Sequence, residues 1–197
     1  MSHIIYTTEG FILKSASFGE ANKYYFIFTR EFGLIRAAAQ GVRYLKSKLR
    51  YGLEDFSLAQ ISVVHGREVW RLTSAEKKLN IKDKEKLLLI SRIFSLLLRL
   101  LHGEEKNDFL FQSLKEGMFF LNNYKLVDSK ENSKMLENFE CILALRILSA
   151  LGYIGKLGDF DQFISSPYFT DDLIISMNNL KTKAILEINK SLKETHL

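Results

Sequence analysis

The stretch "GLIRAAAQGVRYLKSKLRYGLEDF", Gly33 to Phe56, alternates like a strand as far as Gln40 and then stops alternating. Ile35, Ala37 and Ala39 fall on one face of an extended segment and Arg36, Ala38 and Gln40 on the other, as in a sheet with one buried and one wet side. Gly41 closes the segment, and the next nine residues carry Arg43, Lys46, Lys48 and Arg50. With Arg36, these cations meet no acidic residue between Glu31 and Glu54, and Tyr44 and Tyr51 are interleaved with them. A turn that only joins two strands needs none of this charge.

Around this stretch the chain reads as short strands: Gly10 to Ser15, Lys23 to Arg30, Leu34 to Gln40, Phe56 to Val64 and Val69 to Ala75. They are rich in the Phe, Tyr, Ile, Val and Thr that suit a pleated, half-buried surface, and Gly33, Gly41, Gly52 and Gly66 punctuate them. Five such antiparallel strands with no long helix among them predict a small closed or nearly closed barrel of the OB type, and an SH3-like barrel fits the same pattern.

After Asn80 the apolar period changes from two to about 3.6. Asp83 to His102 is apolar almost all round, which predicts a helix buried on most sides with Gly103 as its C-cap. Asn107 to Tyr124 predicts a second helix, crowded with Phe109, Phe111, Phe119 and Phe120. In Lys134 to Leu151, Leu136, Phe139, Leu143, Ile147 and Leu151 recur at helical spacing, and Gly152 followed by Tyr153 has the form of a Schellman cap. Leu180 to Lys193 predicts the last helix, and Gly155 to Met177, with the only proline, Pro167, reads as a connector. The fold class expected is α+β: an N-terminal OB-fold β-barrel domain over residues 1–80, then an all-α helical domain over residues 81–197.

Twelve basic and seven acidic side chains precede Ile81, which accounts for the whole formal charge of +5, and the remainder of the chain is balanced. This asymmetry points to a module for a polyanion followed by an electrically neutral one. The lone cysteine, Cys141, excludes an intrachain disulfide and a cysteine-based zinc site. Met1 to Gly10 lacks the pattern of a secretory leader, and Leu87 to Leu101 is interrupted by Arg92 and Arg99 and too short to span a bilayer. A soluble cytoplasmic protein with no membrane partner is expected.

No catalytic centre, metal site or cofactor is expected. His3, His65, His102 and His196 are scattered, and no second ligand stands at metal spacing from any of them. Gly152, Gly155 and Gly158 follow a helix rather than a strand and lead into Asp159 and Asp161, which repel a phosphate. Those aspartates with Asp171 and Asp172 fit either a divalent ion or a solvated loop. Cys141 sits among apolar neighbours as a small core residue.

The candidate nucleic-acid-binding residues are Arg36, Arg43, Tyr44, Lys46, Lys48, Arg50 and Arg71, with Arg30, Arg67 and Tyr51 as neighbours. A basic groove attracts a phosphate backbone by Coulomb attraction and counterion release, without base-specific contacts, and tyrosines add stacking. A mobile, solvated loop is the competing reading. Trp70 fits either a stacking platform or the barrel core.

The segment "EGFILKSASFGEANKYYFIFTREFGLIRAAAQGVR" resembles the opening of the RecO family of bacterial recombination mediators. The resemblance rests on Glu9, Gly10, Leu13 and Lys14, then Gly19, Glu20 and Lys23, then Phe28 to Glu31 with Gly33, then Ile35 to Ala37 before a Lys/Arg-rich loop. "LEDFSLAQISVVHGREVWRLTSAE" looks like the family's fourth and fifth strands, and "FECILALRILSALGY" and "INKSLKETHL" its later helices. The resemblance implies an OB fold binding single- and double-stranded DNA, joined to a helical domain. It further implies annealing of complementary strands and loading of the RecA recombinase with RecR. Binding to the C-terminal tail of single-stranded DNA-binding protein and a nucleoid-associated location also follow. Many relatives carry a four-cysteine zinc module after the Leu-Gly-Tyr motif, here Leu151 to Tyr153, but "IGKLGDFDQFISSPYF" has no cysteine, so zinc is not expected. An RNA-directed OB protein, or an adaptor whose helical half holds proteins together beside a merely solvated loop, remain alternatives.

Overall fold

The computed structural model describes residues 4–66, 69–125, 129–155 and 158–194, so Arg67, His3 and His196 lie outside the described residues. Five strands, β1 (Ile5–Phe18), β2 (Asn22–Thr29), β3 (Gly33–Ala39), β4 (Ser57–His65) and β5 (Trp70–Asn80), close into a barrel in the order β1-β2-β3-β5-β4. β1 returns to pair with β4, and β3 and β5 run parallel where Ala37 meets Trp70 and Ala38 meets Arg71. The β3–β5 seam skips β4, a closure that a meander of consecutive antiparallel strands does not make. The barrel is therefore an OB fold, and the SH3-like alternative is set aside.

β1 serves two neighbours because it bends. Its first part pairs with β4 and its second with β2, and the register shifts between Ile12 and Lys14. Such a bulge turns the strand while keeping Ile12 buried in the barrel and Lys14 exposed outside. Tyr25, Ile27, Ile35, Ala37, Ala39, Ile61, Val63 and Leu72 complete the interior, so the inward set expected for β3 is the one observed. β1 and β5 extend well beyond their expected ends. In β5 the added residues include exposed Lys77 and Lys78, which give no apolar alternation to read; the extension is held by pairing of Lys77, Leu79 and Asn80 with β4.

Trp70 belongs to the interior. It is buried, its indole N–H donates to Glu104 Oε1 at 2.8 Å, and Tyr6, Phe32 and His65 pack around its ring. The outward stacking platform is thereby excluded for this residue. Glu104 lies on a segment, Leu101–Asn107, that belongs with Met1–Lys82 in one compact unit; the other unit is Asp83–Leu100 with Asp108–Leu197. Leu34 N–H donates to Gly103 C=O, and Lys106 pairs with Glu31. Gly103 therefore departs from the expected C-cap role: helix α2 (Lys84–Leu100) stops earlier, and the glycine carbonyl serves the barrel.

In the second unit the central element is α4 (Ser129–Ala150), which packs against α2, α3 (Asp108–Asn123), α5 (Asp161–Ile164), α6 (Asp171–Ser176) and α7 (Lys181–Glu194). The helix buried all round is therefore α4, from Phe139 to Leu148 except for half-exposed Glu140, rather than α2, whose Leu88 is 59% exposed. Gly152 adopts φ +79°, its N–H donates to Ser149 C=O, and Tyr153 N–H donates to Leu148 C=O: the expected Schellman geometry. The expected connector is richer than a loop, holding α5, α6 and two 3₁₀ turns, Gly158–Phe160 and Met177–Asn179. Phe160, Phe163, Ile174 and Met177 are buried there, at spacings too short to show a period.

That connector is organised by one residue. Arg146 is fully buried on α4, and its guanidinium donates to the carbonyls of Phe163, Pro167 and Tyr168 at 2.6, 2.8 and 2.8 Å while lying 4.1 Å from the ring centre of Phe169. Burial lowers its pKa to about 10, still far above neutrality, so the group stays charged.

Candidate nucleic-acid interface

The basic stretch after β3 is pinned along its backbone. Gly41, at φ +64°, donates its N–H to Asn22 Oδ1 at 2.9 Å, and Arg43 N–H donates to Ala21 C=O at 3.0 Å. Two tight turns follow, Tyr44 N–H to Gly41 C=O and Ser47 N–H to Tyr44 C=O, before the single helical turn α1 (Leu49–Gly52). Val42 and Leu53 are buried in the barrel core and Leu49 packs against it. Val42, Leu49 and Leu53 are therefore anchors, and the charged side chains between them are left outside. Arg43, Lys46, Lys48 and Arg50 are exposed, as are Tyr44 (63%), Leu45 (79%) and Tyr51 (70%).

Arg36 stands apart from this loop, on the outer face of β3. Its guanidinium lies 4.0 Å over the ring of Tyr24, and Tyr24 is stacked on Phe18 at 3.9 Å with 17° between planes. The register puts Ala38 of β3 and Ala16 of β1 directly opposite Tyr24, and these small residues leave room for the ring to lie across the sheet. Arg71 of β5 is opposite Ala38, and with Gln40 and Thr73 it borders a depression of about 330 Å³ over Ala38 and Val64. The residues singled out from sequence thus form two groups: the loop cations with Tyr44, and Arg36 with Arg71 on the outer sheet. Phe18 and Tyr24 were not singled out; both are aromatic residues at outward positions, but only the strand register makes them neighbours of each other and of Arg36.

Some cations of both units are paired with carboxylates and others are not. Among the described residues, Arg36, Arg43, Lys46, Lys48, Arg50 and Arg71 have no carboxylate partner. By contrast Arg30 pairs with Glu9, Lys77 with Glu54, Lys78 with Glu76, Arg92 with Glu140, Lys181 with Glu137 and Lys183 with Asp159. Arg30 therefore contributes no net charge to the surface. The unpaired set keeps its field for an external anion.

In the helical unit, a groove of about 360 Å³ runs between α2, α4 and α7 over Ile93, Leu96, Ala144, Ile185 and Ile188. The Arg92–Glu140 and Lys181–Glu137 pairs stand at this groove, and Cys141 lines it. Burial, opposed by Lys181 and reinforced by Glu140, raises the Cys141 thiol to about 11 and leaves it unreactive at neutral pH. Among the described residues no group of three His, Cys, Asp or Glu side chains is placed to hold a metal. Asp159 is engaged by Lys183, and Asp161, Asp171 and Asp172 lie in the first turns of α5 and α6. No helix of the described residues is long and apolar enough to cross a membrane.

Residues 1–78 match the family described as Recombination protein O N terminal. The chain is 28% identical over 155 residues to the DNA repair protein RecO of Thermoanaerobacter sp. (strain X514), covering 76% of this chain and 59% of that protein. The RecO of Gloeothece citriformis (strain PCC 7424) is 35% identical over 117 residues, 57% of this chain and 41% of the relative. That of Synechocystis sp. (strain ATCC 27184 / PCC 6803 / Kazusa) is 41% identical over 71 residues, 36% and 26% of the two chains. The chain spans between half and three-fifths of the length of relatives matched over its greater part.

Proposed function

For a chain whose first 78 residues match the recombination protein O N-terminal family and which is similar over three-quarters of its length to a DNA repair protein RecO, we propose DNA binding and strand annealing as the activity. The observation that carries this reading is the pinned loop itself: Arg43, Lys46, Lys48 and Arg50 project from an anchored backbone, and among the described residues none of them has a carboxylate partner. Arg43, Lys46, Lys48 and Arg50 screen backbone phosphates, and Arg36 over Tyr24 offers a flat cationic surface on which a base or a second backbone lies. Two screened strands meet at this surface and pair. Base pairing supplies sequence specificity, and the protein supplies charge and orientation.

Mediation of RecA loading, with RecR and the C-terminal tail of single-stranded DNA-binding protein as partners, belongs to the same proposal. The apolar groove between α2, α4 and α7 suits a short apolar peptide segment.

The deciding experiment is the salt dependence of single-strand binding. Engagement of four or five phosphates gives a slope of log affinity against log salt of about −3 to −3.5. A flat response sinks the electrostatic reading, and RNA bound distinctly better than DNA of the same sequence transfers it to an RNA-directed protein.

A further inference from the structure

The cleft beneath the basic loop has a chemistry that an open track for a phosphate backbone does not require. It measures about 420 Å³, room for about one nucleotide with its water, and its buried surface is made by Val42, Leu53 and the ring of Tyr25. Lys23, Arg43 and Arg50 reach it from three separate parts of the unit: β2, the loop and α1.

Their donors are largely open. Arg43 gives one Nη1 N–H to Gly19 C=O at 3.3 Å, and the Lys23 ammonium reaches the Ser15 hydroxyl at 3.3 Å. Neither the Arg50 guanidinium nor the Tyr25 hydroxyl has a hydrogen-bond partner among the described residues. Burial, and then the charge of Asp55, push Tyr25 up to about 12, so the phenol remains a donor at neutral pH.

Two acids border the same cleft, and they are not equivalent. Glu54 has both oxygens engaged, by Lys77 and Asn80. Asp55 accepts only from the Ser15 hydroxyl, at 3.1 Å to Oδ2, which leaves an acceptor to spare. Three cations against one uncompensated carboxylate match one dianionic phosphate and disfavour a polyphosphate. The spare acceptor suits the exocyclic amino group of a base.

We propose that this cleft binds a single nucleotide through its phosphomonoester, with Arg43, Arg50, Lys23 and the Tyr25 hydroxyl on the phosphate and Asp55 on the base. The inference rests on the strand-binding reading above and adds a preference for a phosphorylated strand end. An internal diester carries one charge and continues in both directions, and it uses this concavity poorly.

The test measures binding of one single-stranded sequence ending in hydroxyl, 5′-phosphate or 3′-phosphate, alone and against adenosine 5′-monophosphate as competitor. One phosphorylated end should bind about tenfold more tightly than the hydroxyl end, the worth of one additional charge-assisted contact. Arg50→Gln should remove that gain, and Tyr25→Phe, which keeps the buried ring, should reduce it. Competition by the mononucleotide with no gain from either phosphorylated end assigns the cleft to a free nucleotide and overturns the strand-end preference. Salt-dependent binding of all three strands with equal affinity, and no effect of the mononucleotide, overturns the inference while leaving strand binding intact. Failure of every strand to bind, with the mononucleotide still bound at Arg50, overturns the strand-binding reading and leaves the cleft assignment standing.

Discussion

Two segments of turns and short helices, residues 41–53 and 158–169, both carry arginine, and they use it in opposite ways. In the first the backbone is fixed by its own turns and by buried Val42 and Leu53, and Arg43, Lys46, Lys48 and Arg50 project outward without carboxylates. In the second Arg146 is buried, and its donors hold the carbonyls of Phe163, Pro167 and Tyr168. The same guanidinium is an open site where apolar neighbours anchor the chain around it, and a structural crosslink where it supplies the anchoring itself. In the second segment a buried cation gathers the chain that follows α4.

The largest effect should come from the buried member. Arg146→Met keeps the volume and removes the donors, so three carbonyls lose their partners together. A loss of about 3 kcal/mol in unfolding free energy by chemical denaturation is expected. A loss under about 0.5 kcal/mol would show that the connector is held by Phe160 and Phe163 alone.

Reversing the exposed members should do the converse. Lys46→Glu, Lys48→Glu and Arg50→Glu together should lower single-strand affinity about 100-fold near physiological salt and abolish annealing, with an unchanged melting temperature. A matching drop in melting temperature would make the loop structural too and collapse the comparison.

Gly152→Ala sharpens the boundary of the second segment. No atom lies within 4 Å of the added methyl, so the cost is the left-handed backbone alone, about 1 kcal/mol. Smallest is Arg36→Lys, which keeps the charge and loses the flat stack on Tyr24: single-strand affinity should fall about threefold with the salt slope unchanged. A changed slope would make Arg36 a plain phosphate contact.

Much of the fold was legible because short-range patterns carry it. The alternation of Ile35, Ala37 and Ala39, the change of period after Asn80 and the Gly152–Tyr153 cap each depend on a few adjacent residues. The misreadings have one physical origin, which is that burial is a property of what surrounds a residue. Leu-rich α2 and more polar α4 exchange the roles their compositions suggest, because five helices surround α4. Gly103 reads as a cap, yet its carbonyl belongs to the barrel through Leu34. At the candidate interface the loop cations could be named from sequence, whereas the Phe18–Tyr24–Arg36 stack could not, since it spans three strands.

By itself the sequence determined the class of fold, the order of its two parts, the family resemblance and the identity of the loop cations, because local periodicity and charge are written in neighbouring residues. Only the tertiary structure decided which cations remain unpaired, that Trp70 points inward to Glu104, and that Lys23, Tyr25, Arg50 and Asp55 face one cleft. Each of these depends on groups far apart in the chain being brought within hydrogen-bonding or packing distance, and strand register and helix packing set that distance.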